Sequence, residues 1–357
     1  MVDTVVFIFF CSFGFEFLWV TRLGFPVDAR WNSGRFEELH FFFKGLSLRF
    51  FGGVDCILGM AASTHSQSKA AVFRARLTST LVIWAIVTGV FVSGQPWAFF
   101  GLVAFLTITG AGEFRSLFGE QTGKGCRNIG LIAGVIVALA LGIGFVLGEW
   151  KQPGFDWEMM GLVATILGAF CWRFRTGINE RDSVDAVGDS LIAYLYVPIL
   201  FGVFMMRLLF LPEVSGAVPG AWLILMMCAS AKFTDMGAYI TGSLIGKHKM
   251  APHLSPAKTW EGFFGAHAFA QLGAWGVWAL GGDSLSWIPP LHVGIIGVLM
   301  ALSAVAGDLA ESVLKRSLSV KDSGSWMPGI GGILDLIDSL CFAAPVLYFY
   351  LILTGLI

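Results

Sequence analysis

Residues 291–310 read Leu-His-Val-Gly-Ile-Ile-Gly-Val-Leu-Met-Ala-Leu-Ser-Ala-Val-Ala-Gly-Asp-Leu-Ala. A continuous apolar run of this kind, wound as an α-helix, reaches across a hydrocarbon core of roughly 30 Å. The run does not alternate apolar with polar positions, as a strand of a membrane β-barrel would. Asp308 stands near its end. A carboxylate in a membrane span is costly, and by default marks a functional site.

Similar runs recur outward from this one. They lie near 3–19, 79–94, 96–112, 128–148, 158–172, 189–211, 219–241, 261–281 and 333–355. The 357 residues are 56% hydrophobic and only 13% charged, against about 25% charged in soluble domains. Mean hydropathy is +0.76. The predicted fold class is all-α: a polytopic integral membrane protein with about ten transmembrane helices. Residues 1–78 are expected to form an N-terminal helix plus a basic, partly interfacial extension with Phe-rich patches such as Phe41-Phe42-Phe43. Residues 79–357 form the transmembrane domain, with its chemistry in about 230–345. Met1-Val2-Asp3 lacks the basic flank of a secretory signal, so the first run reads as a retained helix. Gly94-Gln95-Pro96 predicts a tight helical hairpin.

A net charge of −1 points to no nucleic-acid partner. The six cysteines form no CxxC pair and read as reduced packing residues. The distribution of cations is more informative. When the runs are threaded alternately, twenty of the 23 Lys and Arg residues collect on one side. That side is assigned to the cytoplasm by the positive-inside rule. It carries both polar blocks described next and leaves both termini outside. Arg207 lies at an outer helix end, where it can snorkel.

The first block holds Lys232, Asp235 and Tyr239, then Gly242, Gly246-Lys247-His248-Lys249, and Ser255-Pro256-Ala257-Lys258-Thr259-Trp260-Glu261-Gly262. Lys232 and Asp235 share a helix face. Glycines followed by ammonium groups suit a polyphosphate. Gly242–His248 resembles a P-loop only superficially, because it is one residue short and has His where Ser or Thr should bind magnesium.

The second block holds Gly307-Asp308, Glu311-Ser312, Lys315-Arg316, Lys321-Asp322-Ser323-Gly324, Pro328-Gly329-Ile330-Gly331-Gly332, and Asp335-Leu336-Ile337-Asp338-Ser339. Asp308, Glu311, Ser312 and Lys315 fall on one helical stripe. Asp335, Asp338 and Ser339 repeat that spacing at the start of the last run. Clustered carboxylates without His or Cys prefer a hard cation such as Mg²⁺, shared with a nucleotide's phosphates. Lys315, Arg316 and Lys321 can offset further phosphate charge. Plain alternatives are a neutralising Lys232–Asp235 pair and helix-capping aspartates at 335 and 338.

These two blocks resemble those of the CDP-diacylglycerol synthases, or phosphatidate cytidylyltransferases. The family signature is Ser, two residues, Lys-Arg, then Lys-Asp, a Pro-Gly-His-Gly-Gly turn, Asp-Arg and a further Asp. This chain has Ile330 in place of the His and Leu336 in place of the Arg. The resemblance implies transfer of a cytidylyl group from CTP to phosphatidate, at the cytoplasmic face of the cell (inner) membrane. It implies Asp308 and Asp335 as leading ligands of Mg²⁺, or of two cations, with Asp338, Glu311 and Asp235 nearby. It implies Lys315, Arg316, Lys321 and Lys258 as phosphate-binding cations, with Ser255, Thr259, Ser312 and Asp322 in the substrate-binding set. It also implies a homodimer. The two departures keep open a divergent paralogue with another lipid-phosphate substrate or little activity. A membrane transporter is the competing class, resting on Asp235 and Lys232, although no inverted repeat is evident.

Overall fold

Gly94, at φ 58°, turns the chain between helical residues 85–93 and a helix that opens at Pro96. Proline at the first helical position forfeits no hydrogen bond that the helix could have made. The predicted hairpin is therefore present. The computed structural model describes residues 82–83, 85–118, 124–148, 156–176, 180–211, 218, 220–318, 320, 324 and 331–357. The first expected run and the 1–78 extension lie outside these residues, and the second run lies only partly within them.

From Pro96 onward the elements are α1 (Pro96–Leu117), α2 (Lys124–Leu147), α3 (Trp157–Thr176) and α4 (Glu180–Tyr194). α4 continues through a π-helical stretch (Leu195–Val203) into α5 (Phe204–Leu209), and α6 follows (Ala221–Ile245). Two short strands come next, β1 (Lys249–Ala251) and β2 (Ser255–Thr259). The chain ends with α7 (Trp260–Gly281), α8 (Pro290–Ser317) and α9 (Leu334–Leu353). Among the described residues six helices are long and apolar enough to cross a membrane: α1, α2, the continuous Ser183–Leu209 unit, α6, α8 and α9. α3 and α7 have comparable lengths of 20 and 22 residues and pack beside them. The fold is all-α and polytopic.

Two local differences from the sequence reading have simple causes. α4 begins at Glu180, ahead of the apolar run, because its polar first turns wind as helix before the chain becomes apolar. The π-helical stretch contains Pro198, which has no N–H to give to a preceding carbonyl, and the wider winding accommodates it.

The core runs through α1, the π-helical stretch, α6, α8 and α9, with Phe114, Phe201, Met226, Ile296, Ile337 and Leu347 fully buried. Large apolar side chains also cover the outside, among them Ile132, Leu167, Phe174, Phe264, Leu291 and Leu353. Such a surface is a liability in water and the expected one against lipid. α6 and α7 pack closely at Gly237, where a Cβ would come within 2.6 Å of Phe269 and 2.7 Å of the Gly265 carbonyl. Cys126, Cys171, Cys228 and Cys341 are free thiols.

At the end far from the two polar blocks, Arg207 turns inward. Its Nε donates to Glu158 at 3.0 Å and its Nη1 to the Tyr348 hydroxyl at 3.0 Å. Tyr194 donates to the Glu158 carbonyl at 2.6 Å. This set of contacts, not snorkelling, accounts for Arg207. It draws α3, α5 and α9 together.

Candidate active site

α8 and α9 touch backbone to backbone. A Cβ on Gly307 would come within 2.6 Å of the Asp338 carbonyl oxygen and 2.9 Å of Ser339 Cα. Only a residue without a side chain permits this approach. The crossing brings Asp308 close to Asp338, which is buried. The charges of Asp308 and of Asp235, from α6, both act on Asp338. Asp235 in turn lies within the field of Asp308 and Lys258.

Three carboxylates from three helices thus lie within reach of one another's fields, and two lysines answer them. Lys232 lies 3.7 Å from Asp235, one helical turn away on α6. Lys258 reaches in from β2 and stands 2.7 Å from Asp308. The remaining acidic residues form a second group around Lys315. Its ammonium lies 3.0 Å from Glu311 and also hydrogen-bonds Asp335 Oδ1. Asp335 Oδ2 accepts from the Gly332 N–H at 2.7 Å. Glu311 is 3% exposed and lies within the field of Asp338, so the two groups adjoin.

The β1–β2 hairpin carries Lys249 and Lys258 of the first block. Lys249 pairs with Thr259 and Ala251 with Ser255, so half-buried Ser255 opens β2. Thr259 is buried and accepts the Gly262 N–H at 3.1 Å as the N-cap of α7. That bond uses one lone pair of its hydroxyl to hold the helix start. Glu261 accepts the His248 N–H at 3.2 Å and contacts His248 Nδ1 at 2.6 Å. These contacts tie the hairpin to the first turn of α7. The hairpin falls between the apolar runs near 219–241 and 261–281, where the sequence offers no membrane span.

Arg316 is exposed in the last turn of α8, and Ser312 is half-buried on the same helix. Leu336 is half-buried and packs against the apolar core. Lys321, Asp322 and Ile330 lie outside the described residues. The five expected metal-binding carboxylates are therefore divided between two groups. Among the described residues no three Asp, Glu, His or Cys side chains gather as they would around a metal ion. The donor chemistry of Asp235, Asp308 and Asp338, all oxygen, still fits a hard divalent cation.

Glu113 was missed from the sequence. The apolar run was ended at 112, but α1 continues to Leu117, so Glu113 lies inside the helix. It is 4% exposed, and its Oε2 accepts the N–H of Leu334 at 2.8 Å. A carboxylate two residues before Arg115 looks like the start of a loop. No local signal in the sequence marks it, because its partner is a backbone N–H 221 residues away.

Residues 74–354 match the Cytidylyltransferase family. The chain belongs to that family. This family member is 38% identical over 177 residues to a phosphatidate cytidylyltransferase of Bacillus subtilis, covering 49% of this chain and 62% of the relative. It is 34% identical over 231 residues to a phosphatidate cytidylyltransferase of Staphylococcus epidermidis, covering 62% of this chain and 80% of that one. An Escherichia coli protein named only as uncharacterized is 36% identical over 144 residues, covering 40% of this chain and 47% of its own length. The cytidylyltransferase-family chain thus spans from about half to four fifths of the length of these relatives. The family match includes both polar blocks and all five carboxylates of the site.

Proposed function

We propose that this chain transfers a cytidylyl group from CTP to phosphatidate, forming CDP-diacylglycerol and pyrophosphate at the cytoplasmic face of the cell membrane. The observation that carries the proposal is the Lys258–Asp308 contact at 2.7 Å, beside Asp235 and Asp338 whose charges act on the same region, in a chain of the cytidylyltransferase family. An oxygen of the lipid phosphate attacks the α-phosphorus of CTP in line. A new P–O bond forms there. The bond from that phosphorus to the oxygen bridging the β-phosphorus breaks, and its electron pair leaves with pyrophosphate. The attacking phosphate monoester is already anionic, so a strong general base is not required.

The work of the protein is then positioning and neutralisation of charge. Lys258 and the exposed Arg316 offer cations to the triphosphate, together with Lys321. Lys315 is held by Glu311 and Asp335 and serves as a fixed positive charge behind them. Asp308, Asp338 and Asp235 would hold Mg²⁺, or two cations, and the metal when bound supplies further neutralisation of the triphosphate. The cytoplasmic assignment is supported by the helix ends on the side of the site, which carry Arg115, Arg173, Arg175, Lys315 and Arg316. There the lipid headgroup and water-soluble CTP can meet.

Leu336 favours a second reading. The resembling signature has Arg at this position, and here an apolar side chain packs into the core. That difference favours another lipid phosphate as acceptor. The test is purified protein with CTP, Mg²⁺ and a panel of lipid phosphates including phosphatidate, followed by detection of CDP-lipid and pyrophosphate. Asp308→Ala should abolish product. Absence of CTP-dependent product from every lipid phosphate would overturn the transferase reading. Ion flux in proteoliposomes without CTP would support the transporter.

A further inference from the structure

Glu113 belongs to none of the charged groups described above, yet it reaches the helix that presents Asp335 and Asp338. It sits on α1, 221 residues before its partner, and its Oε2 accepts the Leu334 N–H at 2.8 Å. Leu334 is the first residue of α9, and the N-cap residue Ile333 supplies no side-chain hydrogen bond. The first N–H groups of a helix have no partner within the helix, and a carboxylate is the favoured acceptor there. α9 is thus capped by a different helix. The other oxygen, Oε1, is buried, has no hydrogen-bond partner among the described residues, and faces Gly324, where a Cβ would come within 2.4 Å of it. The carboxylate is therefore wedged between Gly324 and the first N–H of α9.

We propose that Glu113 is a positioning residue for the transfer reaction: it fixes the start of α9 against α1 and thereby places Asp335 and Asp338 relative to Asp308. The inference rests on the transferase reading for its kinetic consequence, and on geometry alone for its structural one. The bond to Leu334 needs an acceptor oxygen, which Gln retains and Ala lacks. A misplacement of about 1 Å is enough to cost roughly a hundredfold in rate.

The experiment compares wild type, Glu113→Gln and Glu113→Ala, purified in detergent. The expected result is a kcat lowered ten- to a hundredfold in Glu113→Ala at nearly unchanged KM for CTP. Glu113→Gln should stay within about threefold of wild type. Hydrogen exchange across 334–340 should accelerate in Glu113→Ala and not in Glu113→Gln, while exchange in α6 stays unchanged. Equal loss of kcat in both variants would overturn the proposal, because charge and not the hydrogen bond would then be what matters. Unaltered exchange at 334–340 in a folded Glu113→Ala would overturn it as well. If wild type forms no CDP-lipid, the transferase reading fails, and the exchange comparison still decides whether Glu113 anchors α9.

Discussion

Gly307 lies against the carbonyl of Asp338 so closely that a single added methyl group would stand 2.6 Å from the oxygen. That contact sets the distance between α8 and α9, and with it the spacing of Asp308 and Asp338. In an exposed helix Gly→Ala gains about 1 kcal/mol from backbone entropy. Here overpacking should reverse the sign and cost about 1–3 kcal/mol. Gly307→Ala is expected to melt below wild type and to lose at least tenfold in CDP-lipid formation. A raised Tm with full turnover would show that the two helices can separate without consequence.

Lys315 was read from sequence as a phosphate clamp, and its surroundings argue for a different duty. Its ammonium is shared by Glu311 and Asp335, with Lys315 and Glu311 side chains only 15% and 4% exposed. Removing one partner of a buried ion pair costs about 3–5 kcal/mol, because the remaining charge is left unanswered. Lys315→Met should therefore lower Tm markedly as well as activity. The double variant Lys315→Met with Glu311→Gln should recover part of the Tm. A Lys315→Met protein of normal Tm whose only change is a raised KM for CTP would return Lys315 to the role of clamp.

Lys258 and Asp308 form the contrasting pair. Asp308 is 42% exposed, so their contact at 2.7 Å is screened and contributes about 0–1 kcal/mol. Lys258→Ala should leave Tm within a few degrees and raise KM for CTP. Asp308→Ala should leave Tm similarly intact and abolish turnover. The split between KM and kcat, measured at saturating Mg²⁺, separates a phosphate cation from a residue needed at the reacting centre. Equal effects of the two variants on KM alone would remove Asp308 from that centre.

What the sequence made legible follows from the range of the signals. The stripe of Asp308, Glu311 and Lys315 depends on helical spacing within one element, and the Lys315–Glu311 contact bears that spacing out. Which charge answers Asp308 depends on a contact between β2 and α8, and no local pattern announces that Lys258 supplies it. Thr259 looked like a phosphate ligand because hydroxyls serve both purposes. The structure shows it capping α7, a role decided by where the strand ends. Glu113 was invisible for the same reason: its partner is a backbone N–H far along the chain. Arg207 was misread because an apolar helix end offers lipid or protein alike, and only packing shows that Glu158 and Tyr348 lie within reach.

Arg207 also provides a control at the end of the bundle away from the site. Its guanidinium joins α5 to Glu158 on α3 and to Tyr348 on α9, and it stands 5.6 Å from the Tyr348 ring centroid. Arg207→Ala removes its hydrogen bonds to Glu158 and Tyr348 and leaves the Glu158 carboxylate, 22% exposed, without its cation. A half-buried acceptor stripped of its donor costs about 1–3 kcal/mol. Tm should fall by several degrees. Turnover per folded molecule and KM for CTP should stay at wild-type values, because no group of the site is touched. A double-mutant cycle with Glu158→Gln should return a coupling energy near 1 kcal/mol or more, as expected for two residues in direct contact. If Arg207→Ala instead changed KM for CTP at unchanged Tm, the two ends of the bundle would be conformationally linked, and α9, which spans from Asp335 to Tyr348, would be the element connecting them.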